Sequence, residues 1–231
     1  MMTKLMARLE DATLSAKEKE QLEFLRSAAT TRLRLYKEKL HDMLHDLEAV
    51  GKVKILGNRV LRYHSEYMVD ITEETDDKIY EVINDFFPGA SDTAKNVFQG
   101  LITQSLKSIL DDASVGGKQV QALYVIPENG AIVRVDAKYW KYGFSEEGVI
   151  GNHKNVFCCL FAKSLVNHTK ISLDELIHLV LEQADGIEVE EMIHEIREIW
   201  EKVQGLDEEA IFVDYCTNHA LNYQADDSSQ G

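Results

Sequence analysis

Two Glu-x-x-His pairs, Glu175/His178 and Glu191/His194, are the residues whose spacing comes closest to known chemistry. In di-metal carboxylate bundles such pairs project inward from facing helices. Helical periodicity argues against that use here. Over 172–184 the apolar stripe is Leu173, Leu176, Ile177, Val180, Leu181 and Ala184, and both Glu175 and His178 fall on the other face. Over 188–203 the stripe runs through Val189, Met192, Ile193, Ile196, Ile199, Trp200 and Val203, and again excludes Glu191 and His194. His41 and His45 share a helical face at a spacing zinc can bridge, but no third ligand is identifiable. The adjacent thiols Cys158 and Cys159 lie in VFCCLFA, an apolar run where a small buried residue is wanted. There is no phosphate loop, dinucleotide fingerprint, nucleophile elbow or zinc cysteine pattern. We therefore expect no catalytic residue, no metal and no cofactor, and a protein that is not an enzyme.

The second feature is a group of aromatic and basic residues on one strand. Ala131, Val133, Val135, Ala137 and Tyr139 alternate with Ile132, Arg134, Asp136, Lys138 and Trp140, the period-2 signature of a strand with two different faces. Pro127-Glu128-Asn129-Gly130 supplies a turn, so 120–144 reads as a β-hairpin. Its end combines Arg134, Lys138, Tyr139, Trp140, Lys141, Tyr142 and Phe144. Trp and Tyr favour the headgroup level of a bilayer and Lys can snorkel there, so these seven residues are the candidates for contact with a membrane or a partner.

The elements that must hold this hairpin read as helices. Residues 12 to about 50 form one long helix, with Leu22, Leu25, Ala29, Leu33, Tyr36, Leu40, Met43, Leu47 and Val50 as a bundle or coiled-coil seam ended by Gly51. Residues 53–71 are ambiguous between helix and extended chain. Further helices are expected at 73–87 (capped by Thr72 or Thr75 and ended by Pro88-Gly89), 92–111 (capped by Ser91), 153–168, 172–184 (capped by Ser172 and closed by Asp185-Gly186), 188–203 and 208–222. Loops are expected at 114–117 and 145–152. The fold class that follows is mainly α: an elongated helical bundle with one inserted antiparallel β-hairpin. It forms a single domain over 1–225, with the hairpin at about 120–142 and a disordered tail at 226–231.

Composition narrows the setting. The formal charge is −15, and over 171–231 Arg197 and Lys202 are the only Lys or Arg residues. Non-specific nucleic-acid binding needs clustered Lys and Arg, so nucleic acid is not an expected partner. An acidic face also opposes anionic lipid at neutral pH. No apolar signal-peptide region opens the chain, and the longest purely apolar run, 156–162, is far short of a membrane span. Three cysteines without a secretory signal point to reduced thiols. The expected location is the cytoplasm, or release without a signal peptide.

The stretch AIVRVDAKYWKYGFSEEGVIGNHKNVFCCLFAKSLVNHTKISLDELIHLV, residues 131–180, resembles a motif of uncharacterised proteins from filamentous fungi. The resemblance is carried by 131–136, by Tyr139-Trp140-Lys141-Tyr142 and by 156–168, and it implies no activity and no catalytic residue. The architecture is also loosely similar to that of α-helical pore-forming toxins, in which a helical bundle carries a short hairpin tongue that touches the membrane. Arg134, Asp136 and Lys138 break the continuous apolar tip of such a tongue. The function expected on this basis is a non-enzymatic helical protein, membrane-active or host-cell-acting through the hairpin face. The alternative is an intracellular binding module for a hydrophobic small molecule or a partner helix. The partners expected are a lipid membrane or a protein, with a homo-oligomer as a further possibility.

Overall fold

The computed structural model describes residues 15–46, 53–69, 81–110, 115–144, 155–184 and 187–227. In chain order these form α1 (Ala16–His45), a 3₁₀ turn (Leu56–Asn58), β1 (Arg62–Val69), α2 (Asp92–Leu110), β2 (Gly116–Glu128), β3 (Ala131–Gly143), β4 (Asn155–Leu165), α3 (Leu173–Ala184), α4 (Glu190–Val203) and α5 (Glu208–Asp227). A helical segment at 81–86 precedes α2. The four strands form one antiparallel sheet in the order β1-β4-β3-β2. The architecture is therefore mixed α/β. It is not the mainly α bundle with one inserted hairpin that the sequence suggested, and neither a helical bundle nor a lone hairpin describes it.

The hairpin itself is present but longer, and it is not free. Asn129 (φ 51°) and Gly130 (φ 73°) both take the left-handed region, the requirement of a two-residue turn matched to strand twist. Glu128 faces Ala131 across it, and the ladder runs to Gly116 opposite Gly143. The loop expected at 114–117 is thus strand from Gly116 onward. On its other side β3 pairs with β4 along its length.

The largest correction is β4. Residues 153–168 were expected as a helix, yet Asn155–Leu165 is an inner strand between β1 and β3. Even-numbered residues Val156, Cys158, Leu160 and Ala162 pack under α1. Odd-numbered Phe157, Cys159, Phe161 and Leu165 pack under the remaining helices. Between Val156 and Ala162 both covered faces are filled by apolar side chains, so alternation disappears and an unbroken apolar run remains.

The long N-terminal helix is present as the 30-residue α1, roughly 45 Å long at 1.5 Å per residue. Ser15 opens it with a capping box: Ser15 Oγ accepts from the Glu18 amide at 3.3 Å, and Glu18 accepts from the Ser15 amide at 2.8 Å. Among the described residues its apolar face meets the sheet. Leu25, Ala29, Tyr36, Leu40 and Leu44 lie against Trp140, Cys158, Leu160 and Ala162. The ambiguous stretch 53–71 holds the 3₁₀ turn and the edge strand β1. The other sheet face is covered by 81–86, α2, α3, α4 and α5. Ser91 and Ser172 cap α2 and α3 as expected. Gly51, Thr72, Thr75, Asp185-Gly186, the loop at 145–152 and positions 228–231 of the tail lie outside the described residues.

Candidate functional site

The seven candidate contact residues are all on β3 or just beyond it, where strand alternation divides them between the two faces. Arg134, Lys138, Trp140 and Tyr142 face α1, whereas Tyr139 and Lys141 face the other helices. Arg134 and Asp136 are buried and joined bidentately, Nε to Oδ2 at 2.7 Å and Nη2 to Oδ1 at 2.8 Å, and Arg134 Nη1 also donates to the Val53 carbonyl. Such fork-to-fork pairing is what makes a buried guanidinium tolerable. Lys138 is buried with its ammonium 5.5 Å from the centre of the Tyr36 ring. Tyr139 is fully buried, and burial holds its hydroxyl well above the usual tyrosine range. Trp140 lies under Arg32 at 5.0 Å. Lys141, Tyr142 and Phe144 are half-buried. Tyr142 and Phe144 form an aromatic group with Phe24, whose ring is 6.0 and 5.8 Å away. Of the seven candidates, Lys141, Tyr142 and Phe144 are the ones that reach the surface, and they do not form a continuous apolar tip.

The histidine pairs point outward. His178 and His194 have side-chain exposures of 72% and 74% and meet Glu182 and Glu198 one turn on. Their intended partners have structural roles: Glu175 closes the Ser172 cap, and Glu191 accepts from the Thr93 hydroxyl. His41 and His45 stack at 4.1 Å on the exposed side of α1. No group of three or more His, Cys, Asp or Glu among the described residues is placed to hold a metal ion.

A cleft of about 450 Å³ opens instead between the 3₁₀ turn and the first turns of α5. Leu56, Phe212 and Val213 give it an apolar floor; Arg59, Glu208 and Glu209 form its charged rim. Gly57 makes the turn possible, since its φ of +57° strains other residues. On the opposite wall, the Asp207 carboxylate accepts from the Ala210 amide at 2.7 Å and starts α5. The Arg59 guanidinium sits 5.3 Å over the Phe212 ring, a cation–π contact that holds this half-buried ring. Glu208 accepts from Asn167 Nδ2 at 2.7 Å, and Asn167 Oδ1 in turn accepts from the Thr169 amide and hydroxyl. Beside Asn167, burial lowers the His168 pKa while Glu208 opposes that shift. Val213 is 56% exposed at the side of this hollow.

None of these lining residues stood out in the sequence. The available signal was Ile211-Phe212-Val213. Ile211 and Tyr215 are buried and Phe212 packs partly against the same core, while Val213 is left exposed. Comparison with protein-family models gives no match, and comparison with curated proteins gives no relative. No helix among the described residues is long and apolar enough to cross a membrane.

Proposed function

We propose that this chain is a non-enzymatic binding module that takes a hydrophobic small molecule with one polar end into the cleft between the 3₁₀ turn and α5. The observation that carries the reading is the pairing of an open apolar floor with a charged rim. Its volume lies within the usual range for small-molecule sites, which combine apolar walls with a few placed polar groups. Leu56 and Phe212 would cover the apolar body. Arg59 on one side and Glu208 and Glu209 on the other would orient the polar end. The reading places the protein in a reducing, cytosol-like compartment, in keeping with the buried free thiols Cys158 and Cys159.

Titration with Nile red, a neutral hydrophobic dye, tests the site. Val213→Arg fills the cleft from an exposed helical position, where substitutions ordinarily change stability by about 0.5 kcal/mol or less. The parent should bind the dye, and Val213→Arg should weaken binding at least tenfold with an unchanged melting temperature. Equal binding by both, or none by the parent, rejects the cleft as the site.

A further inference from the structure

Among the described residues one edge of the sheet lies at β2, which does not line the cleft. In the described residues β2 has a strand neighbour on one side only. The two-residue turn fixes which backbone groups face outward. Across such a turn the closing pair, Glu128 and Ala131, exchanges both hydrogen bonds. Even-numbered β2 residues therefore bond to β3, and odd-numbered ones turn their N–H and C=O groups away from it. Two observations agree with this parity. Val166 donates to the carbonyl of Ile132, an even β3 residue, on the side away from β2. Pro127, which has no N–H, falls at an outward position. Toward its C-terminal end β2 is covered by the helices, but 116–123 is exposed or half-buried. Gly117, Gln119, Gln121 and Leu123 thus present a row of edge donors and acceptors.

The surroundings of this row select the chemistry of what could join it. Odd-numbered side chains of β2 face α1, and there the shoulder is basic. Tyr36 donates to Gln119 Oε1 at 3.1 Å and ties α1 to the edge. Around Tyr36 gather the Arg32 guanidinium at 5.7 Å and the Lys138 ammonium at 5.5 Å. Lys39 is near enough to Lys138 to help lower its pKa, behind the larger effect of burial. Asp136, the carboxylate that faces Lys138 from the same strand, is engaged bidentately by Arg134. At the end of the row, Gly117 leaves a notch: a Cβ there would lie 3.0 Å from Trp140 Nε1. That indole N–H is buried, in a residue 4% exposed, and has no hydrogen-bond partner among the described residues. A buried donor without a partner incurs its full desolvation cost, which an incoming acceptor would relieve. On the opposite face, Val120 and Ala122 are half-buried apolar neighbours.

We propose that the exposed half of β2 receives an extended acidic peptide segment as a fifth strand, its alternate carboxylates on the α1 face toward Arg32, Lys39, Lys138 and the Trp140 N–H. The intervening residues of that segment are apolar and extend the Val120/Ala122 face. Backbone pairing supplies affinity and the alternation supplies specificity, as in other cases of strand addition.

Fluorescence anisotropy on the full chain tests this with three labelled octapeptides: alternating Glu-Val, alternating Lys-Val and alternating Glu-Pro. The Glu-Val peptide should bind at least tenfold tighter than either of the others. Gln121→Pro removes one outward N–H without breaking a ladder bond, and Arg32→Glu reverses one cation. Each should weaken Glu-Val binding at least fivefold, with the circular-dichroism melt of Arg32→Glu unchanged. Equal binding of Glu-Val and Glu-Pro would mean charge attraction without strand pairing and would overturn the proposal. So would equal binding of Glu-Val and Lys-Val, failure of the parent to bind Glu-Val, or a dimer in solution that Gln121→Pro dissociates, which would assign the edge to a second copy.

Discussion

Glu128→Gln probes the ion pair that ties the sheet to its helical cover. Lys163 Nζ on β4 donates to Glu128 Oε2 at 2.8 Å, to Oε1 at 3.0 Å and to the Phe86 carbonyl at 2.8 Å. Tyr215 on α5 donates to the same carboxylate at 2.9 Å. The lysine and glutamate side chains are 1% and 0% exposed. Removing one partner of a buried pair leaves an uncompensated charge and costs about 3–5 kcal/mol. With a urea slope of about 2–3 kcal/mol per molar, the unfolding midpoint should fall by about 1.5 M. The pH dependence has a definite sign. Burial lowers the Lys163 pKa and Glu128 opposes that shift. A lysine whose folded pKa lies below its unfolded value adds stability as pH rises from the folded pKa toward about 10.4. Without Glu128 the folded pKa drops further, so that gain starts at lower pH. Urea titrations followed by tryptophan fluorescence should therefore show the gap between parent and Glu128→Gln narrowing from pH 7 to pH 9. A loss below about 1 kcal/mol, or a gap indifferent to pH, would refute the reasoning.

Three further outcomes follow from the same geometry. Burial pushes the Cys158 thiol up to about 12 and the Cys159 thiol higher still, while Cys216 is exposed. Ellman's reagent at pH 8 should accordingly label one thiol per folded chain and three in denaturant, and rapid labelling of all three would contradict the two-sided burial of β4. Gly130→Ala forces an alanine to a φ of 73° and should cost about 1–2 kcal/mol, read as a lower urea midpoint. Ser15→Ala removes the cap of α1 and should cost about 1 kcal/mol by the same measurement.

The helices legible in the sequence have one buried face, and β3 is legible although 131–140 is buried throughout, because Arg134, Asp136 and Lys138 alternate there with apolar residues. The alternation of 131–140, the Asn129-Gly130 turn and the stripes of α2, α3 and α4 each leave a periodic trace. Strand β4 is buried on both faces, and its run from Val156 to Ala162 has no period to read. With 153–168 read as a helix, Arg62–Val69 has no strand to pair with; among the described residues its strand neighbour is β4. The α1 stripe correctly marked a buried face, but a stripe does not say whether a helix or a sheet covers it. The candidate contact residues suffered for the same reason. Arg134 and Lys138 look like surface cations on a lone hairpin, whereas in an inner strand they are both buried. The cleft depends on the approach of two segments some 150 residues apart, Leu56–Asn58 and the start of α5, and only their fold brings them together.

Native mass spectrometry of the freshly purified chain, run beside Val213→Arg, tests the binding-module reading most directly. The account predicts a parent carrying a small-molecule mass that collisional activation removes, and a variant that flies bare. A bare parent that also fails to take up Nile red, or an adduct retained in full by Val213→Arg, would contradict it.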